Sequence, residues 1–261
     1  MTDQTVKAPV SFGARADDYD RLRPDYPARG VARALTAPGE EHRPGTALDI
    51  GCGTGKLGSV LAALGHDVTG VEPDPRMAAV ASDKGLAVEV EPFETWDPAG
   101  RRFDLVACGQ AWHWLRAGER TDKAARCLRP AGRILLAWNF STLPPATAAG
   151  LQRVYASTLP DGLPTGQDGR ASLSEADVDG YAEELRGHGL RNVTKTRTPW
   201  QSRLTSRQFC RLLATDSRHL SLPEPTLRLL LREVAGFLDA EEGGGIRLDY
   251  TCVIVGARVA G

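Results

Sequence analysis

The stretch ALDIGCGTGKL, residues 47–57, decides how this chain is read. An apolar run carries an aspartate, Asp49, near its end and is followed by Gly51, Gly53 and Gly55, three glycines within five residues. None of these glycines contributes side-chain packing. Their use lies in the backbone, because glycine reaches positive φ without steric cost and lets another molecule approach the main chain closely. The run therefore reads as a strand, residues 46–50, that stops at a ligand.

Outward from this strand, helix and strand signals alternate. GKLGSVLAALG (55–65) has a helical pattern closed by Gly65, and DVTGV (67–71) is a second strand. DPRMAAVASDKG (74–85) places Asp74 as N-cap, Pro75 at the first helical position and Gly85 at the end. Strands follow at LAVEV (86–90) and FDLVAC (103–108), then a helix over about 117–129, and RPAGRILLAW (129–138) turns at Pro130 and Gly132 into another strand. Short β-branched strands alternating with helices mean parallel βαβ units with helices on both faces of one sheet.

The rhythm changes after Trp138. SEADVDGYAEELRGHG is amphipathic, LRNVTKTRTPW (190–200) has the composition of a strand, residues 205–242 are mainly helical, and IRLDYTCVIVGARV (246–259) is a long closing strand. Upstream, FGARADDYDRLRPDYP (12–27) starts as a helix that ends before Pro24, since proline disfavours helical geometry in its predecessor. The expectation is one domain, 1–261. It has an N-terminal helical segment at 12–45, a ligand-binding core at 46–140, helical caps at 141–190 and 203–245, and a closing strand at 246–259.

In a doubly wound sheet, ligands bind at the carboxyl ends of the strands near the switch in strand order. Two ligand classes compete for the glycine loop. A dinucleotide fingerprint reads G-x-G-x-x-G, with a pyrophosphate on the helix N-terminus. Here the spacing is G-x-G-x-G, and Lys56 stands where the third fingerprint glycine would be. Asp49 is also a poor neighbour for a diphosphate and a good one for a cationic amine. Glu72, ending the second strand in VTGVEPD, is placed to accept both hydroxyls of a ribose. A cationic amino acid carried on a ribose describes S-adenosylmethionine.

At this point the chain resembles class I S-adenosylmethionine-dependent methyltransferases. The likeness rests on LDIGCGTG (48–55), GVEPD (70–74), FDLVACGQAWHWL (103–115) and LRPAGRILLAWN (128–139), in the right order on the right strands. It implies an α/β fold: a Rossmann-like, doubly wound, seven-stranded sheet with the last strand antiparallel and helical cap insertions. YDRLRPDYP and AWHWL further resemble the small-molecule branch that includes trans-aconitate methyltransferase-like proteins.

Carried over by position, the resemblance implies that Asp49, Gly51, Cys52 and Gly53 surround the methionine moiety and Glu72 the ribose. It places Pro73 and Met77 beside the adenosine, Phe93 and Glu94 flanking the adenine, and Gly109 and Gln110 closing from the fourth strand. Where the family often carries an acid before the Phe93–Glu94 pair, this chain has Pro92. Tyr19 and Arg23 resemble residues that close over the cofactor. Alternatively, Tyr19 anchors the N-terminal helix and Arg23 pairs with Asp20 or Asp25.

Methyl transfer is an in-line displacement in which the cofactor carries the reactive group and the protein aligns the acceptor. A hydroxyl, carbon-acid or protonated-amine acceptor also needs a base; a carboxylate does not. His113 in QAWHWL is the candidate general base, its ordinary pKa near 6.5 suiting proton abstraction at neutral pH; packing between the tryptophans is the competing role. Trp112 and Trp114 would alternate sides if extended, one lining the acceptor pocket and one in the core. His219, Tyr155, Tyr181 and Phe209 are further pocket candidates.

A formal net charge of -1 with acids and arginines interspersed argues against a nucleic-acid binder. Lysine occurs only at Lys7, Lys56, Lys84, Lys123 and Lys195, a bias that reads as genomic GC content and suits a bacterial source. The five cysteines form no CxxC pair or metal spacing, which points to a reducing compartment. With neither a secretory signal nor a membrane-length apolar run, cytoplasm is the expected location and no metal or membrane is called for. The function expected is methyl transfer to an O, N or C atom of a small metabolite, with S-adenosylhomocysteine as product. The alternatives are a nucleic-acid or protein methyltransferase of the same fold, a nucleotide-dependent oxidoreductase, and a non-catalytic cofactor binder.

Overall fold

The computed structural model describes residues 12–36, 42–164 and 173–259. One turn of 3-10 helix, Phe12–Arg15, leads into α1 (Ala16–Leu22) and then α2 (Ala28–Leu35). The βαβ succession follows: β1 (Thr46–Ile50), α3 (Lys56–Ala63), β2 (Asp67–Val71), α4 (Pro75–Asp83), β3 (Ala87–Glu89), β4 (Phe103–Gly109), α5 (Arg120–Arg126) and β5 (Leu128–Thr142). The remainder comprises α6 (Pro145–Thr158), α7 (Glu175–Gly187), β6 (Arg191–Thr205), α8 (Ser206–Leu213), α9 (Ser217–Leu220), α10 (Glu224–Glu241) and β7 (Gly245–Arg258).

The seven strands form one sheet in the order β3-β2-β1-β4-β5-β7-β6. β1 pairs in parallel with β2 and β4, β3 with β2, and β5 with β4, whereas β7 runs antiparallel to β5. Strand order therefore reverses between β1 and β4, which puts the switch point at the carboxyl ends of those two strands.

The chain divides into two compact units. The first comprises Pro24–Thr142, Leu173–Ser202 and Leu248–Gly261 and holds nearly all of the sheet. Its core follows from the two-residue period of strands. Leu48, Ile50, Val106, Cys108, Ile134, Leu136 and Trp138 face one side, packed with Val178, Tyr181 and Leu185 of α7. Ala47, Leu105, Ala107, Leu135 and Ala137 face the other, packed with Val31 and Leu35 of α2 and Leu57 and Leu61 of α3. Both faces are covered, so the strands read as continuous apolar runs rather than alternating ones.

The second unit comprises Met1–Arg23, Leu143–Ser172 and Arg203–Arg247. Its α10 buries Leu227, Leu230, Val234 and Leu238, a stripe at helical spacing. Thr205 and Gln208 form a reciprocal capping box at the start of α8. Phe209, a pocket candidate in the sequence, is buried on α8, and Arg211 of the same helix forms an ion pair with Asp18 of α1.

Several boundaries differ from the sequence expectation, each for a tertiary reason. β5 continues past Trp138 to Thr142 because β7 pairs with it out to Asp249. α5 is confined to Arg120–Arg126, since Leu128 already pairs with Phe103 and a register shift, with Ala131 at φ 60°, separates that pair from the main ladder. AWHWL is not extended: Trp112–Trp114 is one turn of 3-10 helix, so the two tryptophans do not alternate as in a strand.

Candidate active site

The glycine loop is built on β1 and tied to β2. The amides of Gly51 and Cys52 both donate to the Val71 carbonyl, at 2.8 and 3.2 Å, and the Gly55 amide donates to Cys52. Lys84, just past α4, donates its ammonium to the Thr54 carbonyl at 2.9 Å. Gly51 has φ 61°, and a Cβ placed there would lie 2.6 Å from the Cβ of Ala111, which cannot move aside as a flexible side chain would. Gly51→Ala is expected to lower stability by roughly 1–2 kcal/mol through left-handed strain and overpacking. Chemical denaturation followed by circular dichroism checks this.

Glu72, directly after β2, is 8% exposed and receives two backbone amides on its carboxylate. Gly53 donates to one oxygen at 2.9 Å and Asp74 to the other at 3.0 Å. Burial pushes the Glu72 carboxyl up from its ordinary value, against the downward pull of those amides. Each oxygen keeps a lone pair beyond the amide it already holds. Asp74 in turn caps α4 by accepting from the Arg76 amide, as the sequence predicts.

Asp49 lies beneath the loop and is 1% exposed. Its carboxyl is pushed up to about 7, chiefly by burial and also by the nearby Glu72 charge, with the Gly58 amide pulling the other way. Neither oxygen closes a hydrogen bond of ordinary geometry with the protein. An unpartnered buried carboxylate is costly unless something else satisfies it. Burial and the Asp49 and Glu72 charges raise the Cys52 thiol far out of the nucleophilic range.

Around this centre, Met77 is buried and its Cε lies 3.5 Å from where a Gly53 side chain would begin; Pro73 is exposed. Phe93 is buried against Trp96, with centroids 6.2 Å apart, beneath the Lys123 ammonium at 5.1 Å. Glu94 is half-buried, accepts the Arg116 amide and shares with Phe93 the lining of an open cleft of about 560 Å³. Gly109 ends β4 where a Cβ would meet the Tyr26 hydroxyl at 2.6 Å, so only glycine permits that approach. Gln110 sits at φ 58° and donates its side-chain amide to the Asn139 carbonyl at 3.0 Å.

In the 3-10 turn, Trp112 is fully buried under the Arg120 guanidinium, which also donates to the Trp112 carbonyl. Arg120 is held by Glu184 of α7 through hydrogen bonds at 2.9 and 2.5 Å. His113 and Trp114 are half-buried, with ring centroids 5.0 Å apart. Tyr181, another pocket candidate, is a core residue stacked on Trp138 at 5.3 Å.

The other sequence-predicted residues belong to the helical unit. The Arg23 guanidinium lies 5.4 Å over the Tyr19 ring and donates to the hydroxyl and carbonyl of Thr215, at 2.9 and 2.8 Å. Its acidic neighbour is Asp216 at 4.0 Å, rather than Asp20 or Asp25. His219 is buried and bonds the Tyr155 hydroxyl at 2.7 Å and Asp216 at 3.2 Å. Burial raises the Asp216 carboxyl, but the His219 hydrogen bond and the charges of Arg23, His219 and Arg218 outweigh it and hold it below the usual carboxylate range.

The sequence reading missed Asn139 and Arg120, both buried polar residues with partners distant in the chain. Asn139 carried no signal beyond being a polar residue following an apolar strand. Among the described residues, no group of three or more His, Cys, Asp or Glu is arranged to hold a metal ion. None of the described helices is long and apolar enough to cross a membrane.

A seven-stranded sheet with an antiparallel β7, a glycine loop after β1 and an acid after β2 defines the class I methyltransferase fold. A family model described as a methyltransferase domain matches residues 19–213, and the chain belongs to that family. An uncharacterised methyltransferase of Mycobacterium tuberculosis is 28% identical over 269 residues, covering all of both chains. A structure from Anaeromyxobacter dehalogenans provisionally described as a type II methyltransferase aligns over 91% of this chain and 98% of its own, with a TM-score of 0.63 at 21% identity. A S-adenosylmethionine-dependent methyltransferase from Thiobacillus denitrificans, in complex with S-adenosylhomocysteine, aligns over 95% and 98% with a TM-score of 0.51 at 15% identity. The chain is a S-adenosylmethionine-dependent methyltransferase, and that cofactor is the group its site must hold.

Proposed function

We propose that this enzyme methylates an O, N or C atom of a small-molecule acceptor, with the cofactor held by the residues of the glycine loop and the strand ends. The observation that carries the cofactor side is the combination of Asp49 and Glu72. A buried carboxylate that closes no hydrogen bond of ordinary geometry with the protein suits a cationic amine, and a second carboxylate with a free lone pair on each oxygen suits a vicinal diol. The residues present fit the group. When bound, the cofactor supplies an electrophilic methyl on a sulfonium sulfur.

The chain's own work is to bind, to orient and to manage a proton. Gly51 and Gly53 let the ligand reach the main chain, Asp49 holds its ammonium and Glu72 its ribose. Pro73, Met77, Phe93 and Glu94 border the adenosine end, and Gly109 and Gln110 close over the cofactor from the end of β4. His113 takes the proton from a hydroxyl, carbon acid or ammonium acceptor on a ring nitrogen, and Trp114 beside it lines the acceptor side. Trp112, anchored by Arg120, supports that turn from the core. The near-zero net charge, with acids among the arginines, supports a small acceptor over a polyanionic one.

The test is a panel of hydroxyl, amine, carbon-acid and carboxylate metabolites, with RNA and peptide arms, incubated with S-adenosylmethionine. Product is read as S-adenosylhomocysteine formed and as the mass of one CH2 gained by the acceptor. For an acceptor that must lose a proton, His113→Asn is expected to lower the turnover rate by about 100-fold while S-adenosylhomocysteine affinity stays within about twofold of wild type. Methylation confined to the RNA or peptide arms would overturn the small-molecule reading.

A further inference from the structure

Asn139 stands where three pieces of chain meet at the carboxyl end of β5. It is 9% exposed. Its side-chain oxygen accepts the Trp200 indole N–H at 3.1 Å, and its amide group donates to the Asp25 carbonyl at 3.2 Å. Its backbone carbonyl accepts the Gln110 side-chain amide at 3.0 Å. The orientation of the Asn139 amide is forced, because an indole N–H can only donate and a carbonyl can only accept. Trp200 is itself fixed, stacked on Tyr250 with centroids 4.4 Å apart.

The segment that Asn139 holds, Pro24–Pro27, is fastened at two further points. Asp25 pairs with Lys56, the first residue of α3 and next after the glycine loop, at 2.6 Å. Tyr26 is buried, with its hydroxyl against Gly109. The segment thus runs from the start of α3 to the end of β4, along the strand ends at the switch point. A proline at each end restricts its backbone. Gln110 is the residue next to Gly109, and its left-handed backbone is a conformation that a non-glycine residue keeps only where its surroundings enforce it.

We infer that Asn139 is a positioning residue of the cofactor site, holding the Pro24–Pro27 segment and, through its main chain, Gln110 in the arrangement that receives S-adenosylmethionine. The inference rests on the cofactor assignment of the preceding section. Asn139 acts through the segment and has no chemical part in methyl transfer.

The deciding variant is Asn139→Asp, which keeps the shape. When its carboxyl is protonated, the aspartic acid donates to the Asp25 carbonyl and accepts from Trp200, restoring both bonds. When ionised, it sets a charge against that carbonyl, and this repulsion together with burial raises its pKa above the ordinary carboxylate range. The other ionisable side chains in or by the segment are Asp25 and Lys56, joined to each other, and the buried Tyr26, which is neutral across this pH range. Affinity for S-adenosylhomocysteine is measured by titration calorimetry on wild type and variant at about pH 5.5 and pH 8. Melting temperatures taken alongside confirm that both are folded.

The expected result is affinity within about twofold of wild type at the lower pH and about tenfold weaker at the higher. Trp200→Phe, which removes the indole donor and keeps an aromatic ring, is expected to weaken binding about threefold at both. It serves as the second variant should Asn139→Asp not fold. An Asn139→Asp affinity equal to wild type at both pH values overturns the inference, as does an unchanged Trp200→Phe. Wild type that binds no S-adenosylhomocysteine would instead overturn the cofactor assignment itself.

Discussion

Glu72→Ala is expected to weaken S-adenosylhomocysteine binding by about 100-fold, or roughly 2.8 kcal/mol. Two losses combine. The ribose loses a charged acceptor, an interaction worth about 1.5–3 kcal/mol when buried. The Gly53 and Asp74 amides also lose the oxygens that hold them, so the glycine loop must be ordered by the ligand rather than before it arrives. Glu72→Gln separates shape from chemistry. Its amide keeps the volume, but one end of the group now presents donors to an N–H that needs an acceptor. A loss of about tenfold or more is therefore expected despite the close similarity in shape. Titration calorimetry against both variants is the check, and a change under threefold for Glu72→Ala would exclude the role assigned to this carboxylate.

Asp49 governs how the unliganded protein responds to pH. Its folded-state pKa of about 7 lies above the ordinary 3.8, so between those values the folded chain holds a proton that the unfolded chain has released. The favourable contribution is fully present below about pH 4 and is lost as pH rises to about 7, a change on the order of 4 kcal/mol, flat beyond. Glu72 is shifted in the same direction and adds to the slope. Asp49→Asn is neutral throughout and is expected to flatten most of this decline, making the variant more stable than wild type at pH 8 in the absence of ligand. Cofactor binding should behave oppositely. Wild type binds S-adenosylmethionine more tightly as Asp49 ionises through neutral pH and releases protons on binding near pH 6, whereas the variant loses both affinity and proton release. Denaturation curves across pH, and calorimetry in buffers of different ionisation enthalpy, measure the two effects. A wild-type stability profile unchanged by Asp49→Asn would remove Asp49 as the titrating group.

Much of the scaffold is legible locally. The strands at 46–50 and 67–71 coincide with the expected residues because each is a short apolar run bounded by residues that end it. α4 begins where Asp74 and Pro75 require, for the same local reason. The order of the glycine loop, Asp49 and Glu72 along the chain also suffices to choose a cationic ribosyl ligand over a diphosphate. The strand and helix inferences depend on neighbours a few residues apart, and the ligand inference on the rule that strand ends at a switch point form the ligand crevice.

The remainder depends on partners that no local pattern announces. How far β5 runs was set by β7, more than a hundred residues later, and the AWHWL segment coils because Arg120 and the core claim Trp112. His219, a pocket candidate in the sequence, is buried because Tyr155 and Asp216 satisfy both ring nitrogens. Asn139 reaches Asp25, 114 positions away, and Trp200, 61 positions away. Thus the amino-acid sequence by itself determined the class of sheet, the glycine loop at the end of its first strand and the charges beside that loop, because backbone freedom and side-chain charge are properties of single residues. Only the tertiary structure decided which polar groups are buried and which are paired, because burial and hydrogen bonding belong to the company a residue keeps in space.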